Sequence, residues 1–111
     1  MQLPFSKAVE SNGFIFLSGE VPLNIDGTIP EGIEAQTELV LNKISQTLSQ
    51  QSASLNDVIS VTVYLTDKSD FAAFNQVYER FFVQPYPVRT TVIADLVIDA
   101  KIEITVIAKK G

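Results

Sequence analysis

Apolar positions recur along this chain with two different periods, and the switches between them mark its elements. Ala8-Val9-Glu10-Ser11 and Phe14-Ile15-Phe16-Leu17-Ser18 flank Asn12-Gly13. That dipeptide supplies the positive φ angles of a tight hairpin turn, so the two runs are expected to pair as antiparallel strands. Leu23 to Pro30, with Asp26-Gly27 inside it, reads as a second turn region. The period then lengthens. Leu41, Ile44 and Leu48 share one face of an amphipathic helix expected over about 33–51. After a polar loop at 52–56, the β-branched run Val58 to Leu65, bounded by Asp67 and Ser69, is a strand. Phe71, Phe74, Tyr78 and Phe81, at spacings of three and four, predict a second helix over about 70–82 with an aromatic stripe turned to the core. Asn75 shares that stripe and is expected to pin a nearby loop, because a buried amide without partners costs about 1–3 kcal/mol. Pro85 and Pro87 stop the helix, and Val88 to Ala94 and Ile102 to Ala108 read as two further strands.

The order strand, strand, helix, strand, helix, strand, strand predicts an α+β fold, a single sheet with two helices packed on one face. Ile102, Ile104, Val106 and Ala108 form one apolar row. Glu103, Thr105 and Ile107 form a mixed second row on the opposite face, which is expected to meet another subunit.

Composition narrows the classes. The chain has 111 residues, 46% of them hydrophobic, which suits one globular domain over 1–111. No apolar stretch approaches the roughly 20 residues needed to cross a bilayer. The run Met1-Gln2-Leu3-Pro4-Phe5 lacks the features of a signal peptide, and there is no cysteine to crosslink, so the cytoplasm is expected. A net charge of −5 argues against nucleic acid and anionic membranes as partners; the one close basic pair is Lys109-Lys110. Without histidine or cysteine, a Ser-His-Asp triad, a thiolate nucleophile and the common zinc sites are excluded. With those zinc sites gone no metal is expected, and because the five glycines are scattered rather than gathered in a phosphate loop no nucleotide cofactor is expected either.

Two charged residues remain as candidate chemistry. Arg89 lies in the strand Pro87-Val88-Arg89-Thr90-Thr91-Val92 and Glu103 in the last strand. A guanidinium matches a ligand carboxylate in two parallel hydrogen bonds, and a glutamate can hold a water. Spacing alone equally describes, and by itself favours, a solvent-facing ion pair. Strand alternation puts Arg89, Thr91 and Ile93 on one face and Val88, Thr90 and Val92 on the other. Whether Glu103 joins Arg89 depends on register and on subunit contacts.

Phe5-Ser6-Lys7-Ala8-Val9, Phe16-Leu17-Ser18-Gly19-Glu20-Val21-Pro22-Leu23, Phe74-Asn75-Gln76-Val77-Tyr78, Val88-Arg89-Thr90-Thr91-Val92 and Ile102-Glu103-Ile104 follow one another as in the Rid family, the reactive intermediate deaminases. The chain resembles that family from Phe5 almost to its end. The resemblance implies a chorismate-mutase-like homotrimer with clefts between subunits, and hydrolysis of 2-imino acids or their enamine tautomers to 2-keto acids and ammonium. It also implies Arg89 as the carboxylate clamp and Glu103 beside the attacking water. Phe5, Ser18, Gly19, Asn75 and Thr91 would line the substrate pocket, although Ser18-Gly19 is equally an ordinary turn.

The departures from the family pattern are specific. Phe5 stands where many members carry tyrosine, Thr91 where cysteine is frequent, Thr105 where a second glutamate is frequent, and Val97 where proline is common. The stretch Ile93 to Val97 is one residue short, and the amino end is abbreviated. The lost hydroxyl at Phe5 keeps a second reading open, a non-catalytic protein that binds a keto acid or similar small carboxylate in the same cleft. A third reading, an assembly module with a vestigial cleft, has the least behind it because Arg89 and Glu103 are both retained.

Overall fold

A computed structural model of the protein describes residues 3–111. Met1 and Gln2, part of the run read above for a targeting segment, lie outside the described residues. Strands β1 (Ala8–Ser11) and β2 (Phe14–Leu17) pair antiparallel with Ser11 opposite Phe14, a two-residue hairpin. Asn12 and Gly13 take φ values of 53° and 81°, as the turn requires. Helix α1 (Ile33–Gln50) buries Ile33, Thr37, Val40, Leu41, Ile44 and Leu48 along one stripe. Strand β3 (Val58–Leu65), helix α2 (Phe71–Tyr78), strand β4 (Val88–Ile93) and strand β5 (Ile102–Lys109) complete the fold.

The sheet order is β1-β2-β5-β3-β4, and only β3 and β4 run parallel, the pair that α2 connects. The expected α+β architecture, one sheet with two helices on one face, is what is seen. Burial along β5 alternates strictly: Ile102, Ile104, Val106 and Ala108 are inaccessible, and Glu103, Thr105 and Ile107 are half-buried. Ile15 and Leu17 of β2 and Val61, Val63 and Leu65 of β3 extend the buried row beneath the two helices. Among the described residues no helix is long and apolar enough to cross a membrane.

Several boundaries differ from the sequence reading. Ser18 lies outside β2, Gln51 caps α1 rather than continuing it, β4 stops at Ile93, and β5 runs on to Lys109. The largest change is in the second helix. A 3-10 turn at Lys68–Asp70 precedes α2, and beyond Tyr78 the backbone tightens, with the N–H of Arg80 donating to Val77 and that of Phe81 to Tyr78. The tighter winding buries Phe82 against Tyr78, ring centroids 4.6 Å apart, so Phe82 replaces Phe81 in the core and Phe81 is only partly covered. Phe71, expected in the core, is 44% exposed at the start of α2.

Candidate active site at the two faces of the sheet

Register decides which predicted site residues meet. Residues directly opposite one another on paired strands point to the same face. Arg89 is opposite Val61 and Thr91 is opposite Val63, two fully buried residues of the helix-covered side. Glu103 is opposite Tyr64 and Thr105 opposite Thr62, on the other side. Arg89 and Thr91 therefore point together, as alternation predicted, while Glu103 projects from the opposite face of the same sheet.

On the helix-covered side, α2 presents three rings to Arg89. Its Cζ atom lies 4.7 Å from the ring centre of Tyr78, 5.2 Å from that of Phe74 and 5.8 Å from that of Phe71. The negative ring faces attract the cation by about 0.5–2 kcal/mol each, depending on desolvation. No carboxylate lies within ion-pair distance of Arg89 among the described residues. The solvent-facing pair with Glu103 is thus not formed in this chain. Arg89 borders a hollow of about 330 Å³ with Asn75, Tyr78, Glu79, Tyr86 and Pro87. Thr91 borders a neighbouring hollow with Leu65, Lys68, Phe71 and Ile93. Burial pushes the Tyr78 hydroxyl above the usual phenol range, and the positive charge of Arg89 and a weak hydrogen bond from its guanidinium oppose that rise.

On the open side, Gly19 lies hard against Glu103. A Cβ placed on Gly19 would collide with the Glu103 carboxylate and come within 3.2 Å of Thr105 Oγ1, so glycine here leaves the carboxylate where it stands and any side chain would displace it. Two backbone bonds hold this geometry: the N–H of Glu20 donates to the Ile104 carbonyl at 2.8 Å and the N–H of Ile104 to the Glu20 carbonyl at 3.0 Å. The buried Glu20 side chain is gripped by Lys43 at 3.1 Å and Lys7 at 3.5 Å. Ser18 donates from Oγ to the Ser6 carbonyl at 2.6 Å, which ties the segment carrying the exposed Phe5 to the same corner. Ser18 thus serves the local turn, and Gly19 sits against the glutamate.

A larger hollow of about 690 Å³ lies elsewhere, between the Gly27–Gly32 loop and Lys101. Its buried polar side chain, Gln36, is fully used: Nε2 donates to the Pro30 carbonyl at 2.9 Å and Oε1 accepts from the Lys101 N–H at 2.8 Å. That hollow is a loop junction, and it contains neither Arg89 nor Glu103.

Sequence reasoning assigned Phe71, Phe74 and Tyr78 to the core and missed their position around Arg89. The available signal was the helical spacing itself, since Tyr78 lies three residues beyond Asn75, and a buried phenol needs a polar partner. Asn75, expected to pin a loop, stands half-buried in the wall of the Arg89 hollow.

The family model described as Endoribonuclease L-PSP matches residues 1–110. A RutC family protein of Pyrococcus abyssi is 42% identical over 110 residues, covering 96% of this chain and 87% of the relative. Reactive Intermediate Deaminase A of Arabidopsis thaliana, chloroplastic, is 37% identical over 108 residues, covering 95% of this chain and 58% of the relative. The crystal structure of Escherichia coli TdcF with bound serine superposes with a TM-score of 0.92 at 33% identity, covering 100% of this chain and 91% of that one. With matches of this length and identity, the chain belongs to the Endoribonuclease L-PSP family, the Rid proteins, which includes members named reactive intermediate deaminases.

Proposed function

We propose that this protein is a single-domain imine deaminase that hydrolyses reactive 2-imino acids and their enamine tautomers, such as 2-aminoacrylate, to 2-keto acids and ammonium. The observation that carries the proposal is Arg89: a half-buried guanidinium backed by three aromatic rings, beside a hollow, with no carboxylate of its own within ion-pair reach among the described residues. Its N–H donors suit an incoming carboxylate. The serine bound in the TdcF crystal structure is itself a small carboxylate, which supports the same ligand class here.

In this reading the protein is a homotrimer and the site is shared between copies. Arg89 and Glu103 point to opposite faces of one sheet, so a common substrate requires the partner subunit's Glu103. The open face supports such association, for Phe16 is 45% and Val88 70% exposed in the isolated chain. Arg89 anchors the substrate acid while Glu103, supported by Gly19, orients a water about 3 Å from the imine carbon. With the imine reacting as its N-protonated iminium form, the glutamate accepts a proton as the water oxygen bonds to carbon and the C=N pair moves to nitrogen. It then returns that proton to the nitrogen of the neutral carbinolamine so that it can leave as ammonia, and takes the hydroxyl proton and passes it to the ammonia as the C–N bond breaks. Breaking the C–N bond of the resulting carbinolamine then releases the keto acid and ammonium. Asn75 and Thr91 line the Arg89 side of the cleft, and Phe5 and Ser18 the Glu103 side. The reaction needs no metal or cofactor. With a net charge of −5, nucleic acid is not proposed as a substrate despite the family's description. The cysteine-free composition is consistent with work in the cytoplasm.

One observation favours a second reading. Phe5 has no hydroxyl to offer the cleft, which suits a protein that binds a keto acid without turning over an imine. Generating the imine in situ from an amino acid and following keto-acid release separates the two. The deaminase reading expects turnover well above the spontaneous rate, at least about 100-fold lower in Arg89→Ala with the fold intact, and a reduced rate with retained binding in Glu103→Gln. Thermal stabilisation by 2-ketobutyrate without turnover would establish the binding protein instead.

A further inference from the structure

Tyr78 is the residue that the proposed chemistry leaves unexplained. Its side chain is 6% exposed, packed between the rings of Phe74 and Phe82 at 5.4 and 4.6 Å. Such a position suits phenylalanine, yet it carries a hydroxyl that is sealed from water and makes no hydrogen bond of good geometry among the described residues, although the Arg89 guanidinium is near enough to influence it. A buried polar atom left unpaired is unfavourable, and each such atom in a folded protein calls for a physical reason. Of the three rings around Arg89, that of Tyr78 is the nearest, and both residues border the same hollow with Asn75.

We infer that Tyr78 is a positioning residue for Arg89, its ring seating the guanidinium and its hydroxyl accepting one guanidinium N–H when a carboxylate ligand is bound. The inference rests on the proposed role of Arg89 as the acid anchor. A guanidinium presents its N–H donors in one plane, so a ligand acid can engage two of them while another is free to turn towards the phenol oxygen. Fixing the fork at both ends removes rotamer freedom that would otherwise be lost on binding, and the gain appears as affinity. A phenol is protonated at neutral pH, and burial moves Tyr78 further in that direction, so the hydroxyl offers the guanidinium a neutral acceptor, not a charge that would compete with the ligand.

Tyr78→Phe tests this, because binding and stability are expected to move in opposite directions. Deleting an unpaired buried hydroxyl leaves the melting temperature of the free protein unchanged or higher. The dissociation constant for 2-ketobutyrate, measured by calorimetry on the full chain, should rise about 5–10-fold, and KM for the imine should rise with kcat changed less than about twofold. A binding constant within twofold of the parent would overturn the inference. Arg89→Ala, measured alongside, separates the two levels. If it loses binding while Tyr78→Phe does not, only the role of Tyr78 falls. If neither variant is affected, or the parent does not bind the keto acid, the anchor role of Arg89 falls with it.

Discussion

The two faces of the sheet are built from alternate residues of the same strands and have opposite characters. The face under α1 and α2 is complete within one chain: the rows from Ile15 to Leu17, Val61 to Leu65 and Ile102 to Ala108 are closed from water by the helices. The other face carries Phe16, Tyr64, Thr105 and Ile107 in half-covered or exposed positions, with Glu103 among them. One face is a core, while the other mixes apolar and polar side chains and stays open in the single chain. Arg89 belongs to the first face and Glu103 to the second, so a sheet about one backbone thick separates the two charged groups that the proposed reaction needs.

The sharpest way to break this contrast is complementation. Arg89→Ala and Glu103→Gln, each expected to be nearly inactive alone, are mixed under conditions that exchange subunits. If every site takes its arginine from one copy and its glutamate from a neighbour, random trimers regain about a quarter of the parental sites. Keto-acid formation that stays at the level of the separate variants would show that the two residues do not share a site across copies.

Next in size is a pair of truncations, one on each face. Ile104→Ala empties a fully buried position on β5, opposite Val63 on the helix-covered face, and should lower unfolding stability by about 2–5 kcal/mol in a denaturant titration. Phe16→Ser on the open face should leave the secondary structure intact and instead shift the sedimentation profile towards monomer. Equal loss of stability in both variants, with no change in assembly, would erase the distinction between the faces.

The smallest effect sharpens the open face alone. Gly19→Ala sets a methyl group against the Glu103 carboxylate, the mobile end of a side chain, so the backbone need not move. Activity is expected to fall about 10-fold as the carboxylate is displaced, with a change in unfolding stability below about 1 kcal/mol. A Gly19→Ala variant as active as the parent in keto-acid release would detach Gly19 from the role proposed for Glu103.

Much of this architecture is legible before any coordinates. Asn12-Gly13 names the hairpin because few other residues tolerate its φ angles, and Ile102 to Ala108 names a half-buried strand because a period of two has no other geometry. The motifs carrying Arg89 and Glu103 point to the family. The end of α2 is not legible in the same way, because the apolar spacing runs on past Tyr78, whereas the tighter winding there, with Phe82 packed over Tyr78, is a tertiary feature. Nor does the spacing show that Phe71 stands half-exposed beside Arg89, since a stripe of rings looks identical whether it faces aliphatic side chains or a guanidinium.

The amino-acid order by itself determined the elements, the apolar rows and the pair of charged residues, since these follow from local periodicity and residue chemistry. Tertiary structure alone decided that Arg89 and Glu103 stand on opposite sides of the sheet. Side chains alternate along a strand, so one residue of register exchanges the faces, and register follows the burial of the apolar neighbours Val61, Val63, Ile102 and Ile104 under the helices rather than the chemistry of the two charged side chains themselves.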